Sequence, residues 1–222
     1  MTFGEMKTAL SRYLDDPDMG YHTDSDLGVY LNFGQKEAQK KLLQAGENYY
    51  LKCVSTTLVV DQRRYSLPTD FVDLNRLEVV LSGTAPNENW SPILPITVNQ
   101  KDLIGTGKGT PQVYYLGKDY IEVFPAPDAT KTMRLEYSYL VADMTTSGEE
   151  PDVPESYHEY IVLKAAQRGF ARDQKSLPQS IAELLAQYEE MFTYDAEERT
   201  EDSPRHVVVT DPWDEWGDGE LF

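Results

Sequence analysis

"GTPQVYYLGKDYIEVFPAPDA", residues 109–129, holds a run rich in Val, Tyr and Ile, a short polar turn, a second such run and a proline stop. β-Branched and aromatic residues on both sides of a Gly-containing turn read as a β-hairpin. Toward either end of the chain the apolar residues return to a helical period. The hairpin therefore belongs to a β insertion between helical segments. No nucleophile, base or metal-ligand set stands beside its turn.

Upstream, residues 1–46 read as two helices. Thr2 and Glu5 have capping-box spacing, and Phe3, Met6, Leu10, Tyr13 and Leu14 fall on one face. Pro17 and Gly20 break the pattern within Asp15–Asp26. "TDSD", residues 23–26, then caps a helix carrying Leu27, Tyr30, Leu31, Ala38 and Leu42 on one side, with Gly46 expected at its C′ position. Residues 47–150 change period. In "MRLEYSYLV", residues 133–141, Leu135, Tyr137 and Tyr139 alternate with Arg134, Glu136 and Ser138, the pattern of a half-buried strand. Recurrent turn residues divide this region into about six short strands, which predicts a small antiparallel sheet or sandwich.

Residues 151–200 return to helix. Asp152 and Glu155 have the spacing of a capping pair around Pro154, ahead of "YHEYIVLKAAQRGFARD", residues 157–173. Ala165, Ala166 and Gly169 are small enough there to admit another helix closely. Ser176 and Gln179 are read as the cap of a further helix, whose stripe is Ile181, Leu184, Leu185, Tyr188 and Phe192. Neither helix pair buries its stripe alone. The expected fold class is thus α+β: a four-helix bundle formed by the N- and C-terminal helices, an inserted small antiparallel β domain, and an extended acidic tail over 201–222.

Charge narrows the function. The chain has 222 residues, with 20 Lys and Arg against 38 Asp and Glu, a formal net charge of −18. Affinity for nucleic acid rests largely on cations that neutralise phosphates, so this is a poor surface for gripping DNA. It suits DNA that must pass nearby without sticking. Cys53 is the only cysteine, which excludes an internal disulfide and a multi-cysteine zinc site. No secretory signal or membrane-length apolar run is read, so a soluble protein made in the cytoplasm, with no membrane partner, is expected.

The motifs that suggest chemistry fail on spacing. "IGTGKGTP", residues 104–111, resembles a phosphate-binding loop, but Asp102 stands where its first Gly belongs and Gly109 where a Ser or Thr must follow the Lys. "DDPDMGYHTDSD", residues 15–26, is rich in oxygen ligands without the spacing of a calcium loop. His22, His158 and His206 lie far apart, and "HEYIV" lacks the second His of a zinc-protease helix. No enzyme activity, cofactor or metal is expected. The 15 tyrosines mostly fall on apolar faces, where buried rings with hydroxyls at the rim are the ordinary role. A carbohydrate-binding face is the alternative.

The last stretch is acidic yet holds "HVVVT", residues 206–210, Trp213, Trp216, Leu221 and Phe222. Purely solvating tails lack such residues, so this one is read as a segment that orders on a partner. HVVVT has the character of a strand that adds to a sheet edge in another molecule.

Taken in order, "TDSDLGVYLNFGQKEAQKKLL", "RRYSLPTDFVDLNRLEVV", the 109–129 hairpin, "LEYSYLV" and "EPDVPESYHEYIVLKAAQRGFARD" resemble the head-to-tail adaptor proteins of tailed bacteriophages over about residues 1–195. The likeness is best with the tail-tubular or head-completion adaptors of short-tailed phages. The resemblance implies a structural virion protein at the neck between capsid and tail, assembled in the host cytoplasm as a homo-oligomeric ring of twelve copies beneath the portal protein. Such a ring extends the DNA channel, passes genomic DNA without specific binding and offers a platform to tail or nozzle proteins. The resemblance also implies a portal-binding role for the tail residues Val207, Val208, Val209, Trp213, Trp216, Leu221 and Phe222. The alternative function is a carbohydrate-binding or depolymerising tail accessory protein.

Overall fold

The computed structural model describes residues 1–45, 50–83, 87–101, 104–105 and 107–202, with backbone only for 45 and 195–202. In chain order the elements are α1 (Phe3–Tyr13), α2 (Asp24–Ala45), β1 (Leu51–Leu58), β2 (Arg64–Ser66), β3 (Phe71–Ser82), β4 (Asn89–Pro92) and β5 (Leu94–Pro95). Then follow α3 (Val98–Lys101), β6 (Val113–Leu116), β7 (Tyr120–Phe124), β8 (Lys131–Tyr139), α4 (His158–Arg172) and α5 (Gln179–Asp202). The fold is α+β, with five α-helices and two four-stranded sheets among the described residues.

The first two helices form where capping and periodicity place them. Thr2 and Glu5 close a reciprocal capping box, the Thr2 amide donating to Glu5 Oε2 at 2.8 Å and the Glu5 amide to Thr2 Oγ1 at 3.3 Å. Thr23 and Asp26 repeat the device ahead of α2, at 3.0 and 3.2 Å. The predicted apolar residues of α1, α2 and α5 share one core with Tyr157, Tyr160, Ile161, Ala165 and Ala166 of the α4 region. Glycines allow the helices to approach. A Cβ on Gly34 of α2 would stand 2.5 Å from the Ile161 carbonyl oxygen of α4, and one on Gly169 of α4 would stand 2.5 Å from Leu14 Cδ2. Gly46, expected at the α2 C′ position, lies outside the described residues.

Two predicted caps are not formed. Asp152 accepts a hydrogen bond from the Tyr139 hydroxyl at 2.7 Å, while Pro154 opens a 3₁₀ turn over Glu155–Tyr157 without a side-chain cap. Tyr139, at the end of β8, draws the carboxylate toward the β layer instead. At α5 the Gln179 amide donates to Glu183 at 2.7 Å, and the first turn closes on the Pro178 carbonyl.

The insertion has eight strands rather than about six. One sheet, ordered β1-β8-β3-β4, is antiparallel throughout. The other, ordered β2-β7-β6-β5, departs from the antiparallel expectation because β5 runs parallel to β6. A parallel pair needs a crossover, and the stretch containing α3 supplies it. The 109–129 hairpin is present as β6 and β7, in register from Val113↔Phe124 to Leu116↔Ile121. A Cβ on Gly117 in its turn would stand 2.6 Å from the Tyr120 ring, so glycine lets that ring lie over the turn. Leu58, Tyr65, Leu77, Val79, Ile121, Val123, Met133, Leu135 and Tyr137 bring both sheets into a second core.

Three amide side chains of α2 join the helices to the insertion. Asn32 exchanges two bonds with the Met144 backbone, at 3.0 and 2.9 Å. Gln35 donates to the Ala142 carbonyl at 2.8 Å, and Gln39 bridges the Tyr139 carbonyl and the Val141 amide. An extended segment thus lies along α2, its backbone satisfied by side chains spaced one helical turn apart.

Candidate interaction surfaces

The motifs with possible chemistry are used by the fold. Asp16, in the oxygen-rich loop, accepts from the backbone amides of His22, Gly20 and Tyr21 at 2.7, 2.9 and 3.0 Å. These bonds, that from His22 foremost, hold its carboxyl below the usual range. His22 is buried with Nε2 3.5 Å from Asp173 Oδ2, and His158 sits between the Met1 amino group at 2.7 Å and the Val153 carbonyl at 2.9 Å. Among the described residues no group of three or more His, Cys, Asp or Glu could hold a metal ion. Nor is any helix among them long and apolar enough to cross a membrane. In the 104–111 segment, Lys108 pairs with Asp61 at 2.6 Å and the Gly109 amide donates to Ala126 at 2.8 Å, so its far end lies along the hairpin.

The tyrosines are largely core. Tyr137, Tyr157 and Tyr160 are fully buried, and Tyr157 stacks on Phe192 with centroids 4.1 Å apart. Hydroxyls at the rim meet carboxylates: Tyr137 donates to Asp70 at 2.9 Å and Tyr188 to Glu159 at 2.9 Å. Burial first, then the neighbouring carboxylate, pushes Tyr137, Tyr139 and Tyr188 each up to about 12. Tyr21 and Tyr194 are the tyrosines among the exposed large hydrophobics, one in the loop between α1 and α2 and the other in α5.

What the described residues offer is surface for binding. A groove of about 710 Å³ runs between the second half of α2 and the start of β3, with Leu43, Val72, Leu74 and Leu140 as apolar lining and Lys36 and Lys40 at its rim. Lys36 reaches Asp143 at 2.6 Å. A second hollow of about 540 Å³ is acidic, gathering Asp70, Asp143, Glu149, Glu150 and Asp152 around Lys52. On the outward face of the antiparallel sheet Arg134 bonds Glu78 through Nε at 3.0 Å and lies over the Trp90 ring, 4.3 Å from its centroid. That cover leaves Glu78 buried. At the margin of the same sheet, residues Lys52–Thr57 of β1 are all exposed.

None of these surfaces was legible in the sequence, because each is made by elements distant along the chain. The residues that the sequence did single out, Val207, Val208, Val209, Trp213, Trp216, Leu221 and Phe222, lie outside the described residues.

Compared with known proteins, the chain matches the family model described as SU10 adaptor protein over residues 1–210. The match runs past residue 195, takes in Val207–Val209 and stops short of Trp213. No curated protein matches the chain.

Proposed function

The chain belongs to the SU10 adaptor protein family of phage head-to-tail adaptors, and from that premise we propose that it forms a ring of twelve copies beneath the portal. As an adaptor it is a structural protein of the phage virion. In this reading its N- and C-terminal helices are a four-helix bundle that carries the β layers outward, and the ring prolongs the DNA channel and seats the tail. The observation that carries it is a family match spanning nearly the whole chain. The charge of −18 supports it, since a negative lumen leaves a polyanion few attractive traps, with repulsion screened beyond about 8 to 10 Å. The tail is the portal contact: Trp213, Trp216, Leu221 and Phe222 supply apolar anchors, and Val207, Val208 and Val209 are the extended run that leads to them.

Imaging of DNA-filled particles tests the proposal. A ring between portal and tail into which the helical and β layers fit is the expected result. Density for the chain at the outer tail, together with binding of soluble glycans by the purified protein, would overturn it in favour of an accessory role.

A further inference from the structure

The two sheets have four edges, and three are guarded. β2 has three residues, β5 has two and ends in Pro95, and β4 has four and ends in Pro92. Short length and proline are the usual means by which proteins keep sheet edges from pairing with other chains. β1 has neither. It runs for eight residues without proline, and it pairs with β8 in unbroken register from Leu51↔Ser138 to Leu58↔Lys131. Its single charge does not guard it: Lys52 is drawn to Asp70 at 2.6 Å and lies over the Tyr139 ring, 4.0 Å from the centroid. Val54 and Thr56 stand opposite the buried Leu135 and Met133, on the core face of the sheet, yet both remain exposed. Among the described residues the core continues to this margin and no further strand pairs with β1.

We propose that β1 is a strand acceptor whose occupant is the His206–Thr210 segment of a second copy of this chain. The inference rests on the ring reading above. Two β1 edges paired with each other would close an isologous dimer, whereas a ring requires two different surfaces. The donor must then be an extended run that is not already part of a sheet. Val207, Val208, Val209 and Thr210 are β-branched, and Pro204 and Pro212 bound them, which delimits a strand of a length suited to β1. Among the described side chains of α5, Phe192 is the last in the helical core, and the helix continues to Asp202, about 15 Å farther at 1.5 Å per residue. The family match includes the Val run and ends at Thr210, as suits a contact between copies of one adaptor. Backbone bonds along β1 hold the added strand, and alternate valines cover Val54. The aromatic end beyond Pro212 is left free for the portal.

Cys53 lies within β1 and is the only cysteine, which makes the test direct. V207C, V208C and V209C are introduced singly into the full chain, particles are assembled and mildly oxidised, and cross-linked peptides are identified. In at least one variant, disulfides joining Cys53 to the new position of another copy should yield a ladder extending beyond dimers, and Cys53→Ser should abolish it. A second variant, V208P, removes a backbone donor from the added strand. It should leave the circular dichroism of the monomer unchanged and reduce incorporation into particles at least tenfold. Links confined to a single copy, or none in particles that contain the chain, would overturn strand exchange and leave the ring reading standing. So would normal occupancy by V208P. If the wild-type chain is absent from particles, the ring reading fails and this inference fails with it.

Discussion

Gln39 of α2 and Val141 are joined as two paired strands would be. The Gln39 side-chain oxygen accepts the Val141 amide at 3.2 Å, while its nitrogen donates to the Tyr139 carbonyl at 2.5 Å. Gln39 is 1% exposed and its bond to the Val141 amide is buried, so that amide has no water as a substitute. Replacing Gln39 with Leu keeps the volume and orphans both groups. The expected loss, read from urea unfolding, is about 1 to 3 kcal/mol for the buried Val141 amide, with a smaller addition from the partly buried Tyr139 carbonyl. A loss below about 1 kcal/mol would show that the extended segment finds other partners.

The α5 stripe is graded. Leu185 is 6% exposed inside the helical core, whereas its neighbour Leu184 is only partly buried against it. Leu185→Ala should cost about 2 to 5 kcal/mol and Leu184→Ala clearly less, since the cavity left at a half-open site is filled by water or by neighbouring side chains. Thermal and denaturant unfolding of the two variants check the order. Equal losses would mean that α5 is packed on both flanks.

How much of this fold was legible follows from where the determinants lie. The helices were, because Phe3, Met6, Leu10, Leu27, Leu31 and Leu42 repeat at helical spacing and Thr2 and Thr23 announce their starts within four residues. The hairpin was, because Gly117 and its flanking runs are local. Asn32, Gln35 and Gln39 were not. An amide in a helix reads as solvent-facing until its partner is known, and Tyr139–Met144 lies about a hundred residues away. Asp152 misled for the same reason, since its partner Tyr139 is not a local cap. The groove beside α2 and the open edge of β1 are properties of assembled elements, with no local signal at all.

The buried tyrosines set the alkaline limit. Tyr137 is raised from its ordinary value near 10 to about 12, by burial first and then by the Asp70 carboxylate that accepts its hydrogen bond. A group whose folded value is raised contributes stability that is fully present below the unfolded value and is lost as pH rises through the folded one. Stability should therefore fall between about pH 10 and pH 12, with Tyr139 and Tyr188 adding to the slope. Tyr137→Phe should be less stable at pH 8, through loss of the bond to Asp70, but should show a shallower decline above pH 10. Melting temperatures across this range decide it. A wild-type curve that is flat to pH 12 would remove the argument.

The two halves of the tail should separate by mutation. Trp213, Trp216, Leu221 and Phe222 follow Pro212, whereas the valine run precedes it, so truncation after Pro212 removes every aromatic anchor and keeps the strand donor. On the portal reading the removed residues serve a contact outside the monomer, so its melting temperature should shift by less than about 2 °C. Copies should still associate with one another through β1, while attachment to isolated portal rings should drop at least tenfold. Trp213→Ala with Trp216→Ala should reproduce most of that drop, because a few buried aromatic anchors commonly dominate such contacts. Sedimentation of the truncated chain with and without portal rings distinguishes the outcomes. Normal binding to portal rings would reassign the portal contact to the folded body. Loss of association between copies would place the aromatic end, rather than the valine run, at the interface between neighbours.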